Sequence, residues 1–215
     1  MAKRARNVRA DHRARILQAA TTAFLENGYE ITSTAEIARR ARVSKRELYT
    51  YFHDKRDILD AVITKLQAGI QAQANASWSA SGDVRGVLTK AGAKILRFIT
   101  SDRFGKLFRI VAAESFRDPI SSRKFYILGP AMGRKNTAIF LKRHMDAGDL
   151  RATDPLQAAD DFLDILVSSR YLTAVVLGQL RRFPKPRVHV QHAVDVFLSY
   201  YGANEPKRKA RKSNR

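Results

Sequence analysis

Residues 33–52 read STAEIARRARVSKRELYTYF, with two serine-led capping boxes only eleven residues apart. In each box a serine hydroxyl can accept the amide three residues on, Ser33 ahead of Glu36 and Ser44 ahead of Glu47, and so open a helix. Ile37 and Ala38 make the inward face of the first helix, Leu48 and Phe52 that of the second, and residues 41–43 form the turn between them. Two short capped helices joined this way form a helix-turn-helix, in which the second helix can enter a major groove while the first crosses the backbone. The outward face of the second helix carries Ser44, Lys45, Arg46, Glu47, Tyr49 and Tyr51, all able to bond phosphates or base edges. Arg46 is the best base reader, because a guanidinium pairs bidentately with guanine O6 and N7. Glu47 can accept from a cytosine amino group or cap its own helix, and the cap is the expected role.

Working outward, Ile16, Leu17, Ala20, Phe24 and Leu25 recur at helical spacing and stop at Asn27-Gly28, a pair suited to a left-handed helix end. Downstream, Asp54 caps a longer helix bearing Ile58, Leu59, Val62, Ile63 and Leu66, and Asp118-Pro119 and Asp154-Pro155 each set an acid before a proline at a helix start. No segment alternates as a strand does. The expected fold is all-α, a three-helix head joined to a C-terminal helical bundle. The chain divides into a basic disordered arm at 1–9, the head at 10–70 with its helix-turn-helix at 33–52, a second domain at 71–202 and a basic disordered tail at 203–215.

The 215 residues hold 40 Lys and Arg against 20 Asp and Glu, a formal charge of +20, which favours polyanionic partners. The excess is densest at the ends: residues 203–215 alone carry six basic side chains and one acid. Lys3, Arg4, Arg6 and Arg9 directly precede the first helix, where they can follow phosphates or enter a minor groove. The absence of cysteine excludes disulfides, thiol nucleophiles and cysteine-held metals. No apolar run reaches the roughly 18 residues of a membrane span and the basic N-terminus lacks a signal-peptide core, so a cytoplasmic, non-membrane protein is expected. No catalytic constellation is present, and neither an enzymatic role nor a cofactor is expected. His189 and His192, three residues apart, read more simply as helix surface or interface, and Asp160, Asp161 and Asp164 sit where a helix start favours negative charge, so no metal site is expected.

The block RILQAATTAFLENGYEITSTAEIARRARVSKRELYTYFHDKRDILDAVI resembles the DNA-binding domain of TetR-family transcriptional regulators, above all in IARRARVS, LYTYF and the following Lys55. From about Asp102 the chain resembles the AefR-like branch more loosely, through FGKLFRIVAAESFRDP and DAGDLRATDPLQAADDFL. The resemblance implies a homodimer whose heads read a palindromic double-stranded operator, with C-terminal helices that bind a small-molecule effector and dimerise; the effector's identity is unknown. It places Thr32, Ser33, Ser44, Tyr51 and Lys55 at the phosphate backbone, and Lys45, Arg46, Glu47 and Tyr49 nearest the bases. The turn departs from the family, which usually has glycine where this chain has Arg42. A left-handed backbone there costs about 1 kcal/mol, so either the turn is altered or Arg42 adds a phosphate contact.

Phe104, Phe108, Phe125, Tyr126, Phe140, Arg170 and Tyr171 are the candidate effector residues, with ordinary core packing as the alternative for each aromatic. Arg170 can meet an anionic effector, pair with Glu114 or lie exposed. Phe162, Leu166, Val175, Val194, Phe197 and Leu198 are the candidate dimer interface, on two long apolar helices that can form a four-helix bundle with a second copy. These features favour a ligand-responsive regulator, most simply a repressor released by its effector. A sequence-tolerant architectural or nucleoid-associated DNA-binding protein is the alternative that the charge supports.

Overall fold

The computed structural model describes residues 2–78, 82–178 and 186–203, with the side chains of 2–9, 69–77 and 170 outside that description. Ten α-helices follow one another among the described residues: α1 Ala2–Asn27, α2 Thr34–Ala41, α3 Lys45–Tyr51, α4 Lys55–Trp78, α5 Val84–Ile99, α6 Asp102–Glu114, α7 Pro119–Tyr126, α8 Met132–Asp146, α9 Pro155–Val176 and α10 Pro186–Tyr201. The fold is all-α as expected; its one β-type contact among the described residues is an isolated bridge between Leu150 and Gly202 that ties the loop between α8 and α9 to the end of α10.

Local chemistry sets these boundaries. α1 ends at Gly28, whose φ of +86° carries the chain through the left-handed region while its amide donates to the Phe24 carbonyl at 3.0 Å. Asp118 and Asp154 cap α7 and α9 ahead of their prolines. At its other end α1 departs from the expected arm: its backbone is helical from Ala2. AKRARNVRADHRAR contains neither proline nor glycine, and Ala, Lys and Arg are among the better helix formers. The side chains of Lys3, Arg4, Arg6 and Arg9, and the tail beyond residue 203, lie outside the described residues.

Two apolar cores organise the bundle. The first begins in the head with Ile16, Phe24, Ile37, Leu48, Phe52, Ile58 and Ile63, and runs on without a break into Phe104, Leu107, Phe125, Tyr171 and Val175. The second gathers Trp78, Leu88, Leu96, Phe140, Phe162, Leu166, Val190, Val194 and Phe197. α9 serves both, its residues up to Leu166 in the second core and those from Tyr171 in the first. Between the two sets the helix kinks at Ser168, with φ 52° and ψ 162°, a conformation that L-residues rarely adopt. Pro130 produces a second irregularity: lacking an amide hydrogen, it sits inside a π-helical turn, Ile127–Ala131, that joins α7 to α8.

The expected dimer set lies within this packing. Phe162, Leu166, Val175, Val194 and Phe197 are buried within one protomer and Leu198 is half-buried, so these side chains fill the chain's own cores. Apolar periodicity identified the faces that are buried, but not whether the same chain or a second copy buries them.

Candidate nucleic-acid interface

The two helices of the motif are capped as their serines dictate. Ser33 Oγ accepts from the Glu36 amide at 3.1 Å and Ser44 Oγ from the Glu47 amide at 3.0 Å. The glutamates do not reach back to complete their boxes. Glu36 accepts from Arg39 Nε at 2.9 Å and from Arg40 Nε at 2.6 Å, and these guanidinium groups draw its carboxyl down to about 2. Arg40 also reaches Glu26 of α1 at 2.6 Å, which fastens α2 to α1. The expected cap by Glu47 is corrected, because its carboxylate meets His12 Nδ1 of α1. That contact, with the Arg13 guanidinium 5.4 Å from the Phe52 ring centre, orients α3 against α1. His12 follows the spacing of Ile16, Ala20 and Phe24, which marks it as facing inward, though not its partner.

The turn keeps left-handed geometry without glycine. Arg42 has φ 54° and ψ 47°, and beyond it the Val43 amide donates to the Ala38 carbonyl at 3.1 Å. Its side chain is exposed, as are those of Ser33, Ser44, Lys45, Arg46 and Tyr49. Tyr49 Oη lies 3.1 Å from Thr34 Oγ1 and the Lys45 ammonium 6.0 Å from the Tyr49 ring, so the N-terminal end of α2 and the outer face of α3 form one polar surface. Arg46 has no hydrogen bond or ion pair among the described residues and stands free to meet a base edge. Tyr51 is half-buried against the first core.

Two residues expected at the phosphates serve the fold. Thr32 is buried and its hydroxyl donates to the Gly28 carbonyl at 2.7 Å. Lys55 donates to the carbonyls of Tyr29 at 2.9 Å and Glu30 at 3.2 Å and stands 4.3 Å from the Tyr29 ring centre. Its ammonium therefore closes the loop after α1, with two of its three donors in use.

The effector candidates separate into two groups. Phe104 lies 5.7 Å from Phe125 and 6.4 Å from Phe108 between ring centres, Phe98 joins them at 4.6 Å from Phe104, and Tyr171 belongs to the same core. Phe140 is set apart in the second core, 5.3 Å from Trp78, and Tyr126 is exposed. The Arg170 side chain lies outside the described residues. Gln67 of α4 is buried beside this group, where α4 meets the π turn so closely that a Cβ on Gly129 would lie 2.6 Å from its Nε2.

Polar contacts join this region to the head. Arg117 donates to Glu30 at 2.6 Å, Lys124 to Asp60 of α4 at 3.1 Å, and the Ser121 hydroxyl lies between the Asp60 and Asp118 carboxylates, its one proton shared between them. α9 and α10 leave Leu172, Val176, Val188, Val196 and Tyr200 exposed. Among the described residues no helix is long and apolar enough to cross a membrane, and no group of three His, Cys, Asp or Glu could hold a metal ion.

A capped helix-turn-helix with a free arginine on its outer face, fused to a helical body, defines a DNA-binding regulator. The chain belongs to the TetR family of transcriptional regulators: residues 16–62 match the bacterial regulatory proteins of the tetR family, and residues 86–203 match the AefR-like transcriptional repressor C-terminal domain. Its head is similar to the HTH-type transcriptional regulators YhgD of Bacillus subtilis, 34% identical over 65 residues, and HbdR of an Aromatoleum species, 49% identical over 49 residues. Those matches cover 30% and 23% of this chain, and only 34% of YhgD and 21% of HbdR. Along most of its length the chain is similar to a TetR-family regulator from Mesorhizobium loti, at 27% identity and a TM-score of 0.82 over 90% of this chain and 98% of that one. The flavonoid-responsive regulator FrrA is similar at 26% identity and a TM-score of 0.73, over the same shares.

Proposed function

We propose that the chain is a homodimeric, cytoplasmic repressor that holds a palindromic operator and releases it when a small molecule enters the C-terminal body. The observation that carries this reading is the first core, which runs from Leu48 of α3 through α4 to Phe104, Phe125 and Tyr171. A molecule that reshapes the aromatic group therefore acts on packing shared with the recognition helix, since packed cores pass displacement on rather than absorbing it. α4 is the lever, gripped from α7 through Asp60 and Gln67. Residues 10–70 act as the DNA-binding unit and 71–202 as the effector and dimerisation unit, with the basic residues of 1–9 and 203–215 adding attraction to DNA.

Ser33, Arg42, Ser44 and Tyr51 are assigned to the phosphates, and Lys45, Arg46 and Tyr49 to the bases, Arg46 first among them. The exposed apolar residues of α9 and α10, Leu172, Val176, Val188, Val196 and Tyr200, support pairing with a second copy through these two helices. The AefR-like repressor match supports repression, and the likeness to flavonoid-responsive FrrA supports an aromatic effector.

Sedimentation of the protein with a selected operator, alongside a footprint of that site, tests the reading. Two protomers per site and two protected segments about 34–36 Å apart on one DNA face are expected. Binding of single protomers spread evenly over any sequence would replace it with the architectural alternative.

A further inference from the structure

α9 concentrates unusual features in one turn. The Ser168 hydroxyl and the Tyr171 hydroxyl are each shut off from solvent without a hydrogen-bond partner; the one other such side-chain atom among the described residues is Arg15 Nε in α1. Tyr171 is itself only 8% exposed, and burial raises its pKa, so the phenol stays protonated. Buried polar groups in folded proteins are nearly always paired, and two orphans three residues apart call for a specific partner. The backbone at Ser168 is strained as well, and strained residues gather at ligand clamps. This turn is also where α9 passes from the second core to the first, which contains Phe104 and Phe125.

Resting on the effector reading above, we infer that the Ser168 and Tyr171 hydroxyls are the polar anchors of the effector site, and that the effector is an uncharged aromatic molecule carrying a hydrogen-bond-accepting oxygen. The rings of Phe98, Phe104, Phe108 and Phe125 supply the apolar, edge-rich surroundings that aromatic ligands favour. The anchors are neutral donors. The Arg109 guanidinium nearby donates to the Val175 carbonyl at 3.3 Å. A charged ligand would lose its hydration against two neutral hydroxyls, whereas a ketone or ether oxygen gains the hydrogen bonds that the hydroxyls lack. The kink gives the ligand a route to the fold: satisfying Ser168 stabilises one packing of α9 between the two cores.

Three probes of nearly equal size separate the possibilities: benzophenone with a ketone between two rings, diphenylmethane with the ketone removed, and 4-benzoylbenzoate with an added charge. Titration of the full chain, followed by calorimetry, is expected to show benzophenone binding about 5- to 30-fold more tightly than diphenylmethane, the range from one to two neutral hydrogen bonds. Tyr171→Phe and Ser168→Gly should each reduce that ratio, and the double variant should bring it near one. Tyr171→Phe removes a hydroxyl without a partner in the fold, so its thermal midpoint should stay level or rise. Ser168→Gly should keep the kink, since glycine adopts that backbone freely.

A ratio unchanged in the double variant overturns the anchors, and 4-benzoylbenzoate binding most tightly overturns the uncharged class. Failure of all three to bind overturns the aromatic class. An operator footprint measured without any probe keeps the regulator reading separate: its absence would sink that reading, whereas its presence beside a failed titration sinks this proposal alone.

Discussion

Replacement of Lys55 by methionine separates a residue that closes the head from one that holds DNA. The Lys55 ammonium donates to two carbonyls, at 2.9 Å and 3.2 Å, and stands 4.3 Å from the Tyr29 ring centre. Hydrogen bonds to charged groups contribute about 1.5–3 kcal/mol each, and a cation over an aromatic face about 0.5–1 kcal/mol where solvent reaches it. Part of this is lost to partial exposure, which leaves about 2–3 kcal/mol for Lys55→Met. In a chain of 215 residues each kcal/mol moves the thermal midpoint by about 2–4 °C, so a fall of about 4–12 °C is expected at fixed protein concentration. The slope of operator affinity against salt should stay as it is, because a residue that neutralises a phosphate would lower it by about one unit when removed. Circular dichroism melting and a salt titration of DNA binding read the two effects. An unchanged midpoint together with a shallower salt slope would refute the reasoning and return Lys55 to the phosphates.

Three more outcomes follow from the same geometry. Arg42→Gly should raise stability by about 1 kcal/mol in a denaturant titration, because glycine carries no left-handed penalty; a loss would mean that the arginine side chain holds the turn. Glu36 has a folded pKa of about 2 against an ordinary 4.5, so its contribution is complete above pH 4.5 and fades as the pH falls toward 2. Glu36→Gln should lower stability above pH 4.5 and flatten the acid limb between pH 4.5 and 2, and an unaltered acid limb would count against its pairing with Arg39 and Arg40. Leu172→Glu combined with Val176→Glu should convert the dimer to monomers in sedimentation while leaving the helical signal intact, whereas a persisting dimer would place the interface elsewhere.

Much of the head was legible in the sequence because its determinants are local. Ser33, Ser44 and Asp54 act within three residues, and the spacing of Ile16, Phe24, Leu48 and Ile58 reports helical faces directly. Side chains with distant partners were not legible. Glu47 selects His12 over its own helix end, because spatial neighbours settle which bond is made. The body was less legible for the same reason. Phe162 and Leu198 have the periodicity of an interface, yet it is the packing of α9 on α10 that buries them, and Phe140 is separated from Phe104 by falling in a different core. The Ser168 kink has no sequence signal, since a serine rather than a glycine or proline occupies it.

Selection from random DNA by the purified protein at about 150 mM salt, run in parallel with Arg46→Ala, distinguishes operator reading from charge attraction, because nonspecific attraction by the +20 charge is already weakened there. A palindromic motif is expected for the unaltered chain, with a guanine in each half-site whose preference disappears in the variant while the fold persists. Enrichment without a motif, or the same motif in both proteins, would contradict operator reading by Arg46.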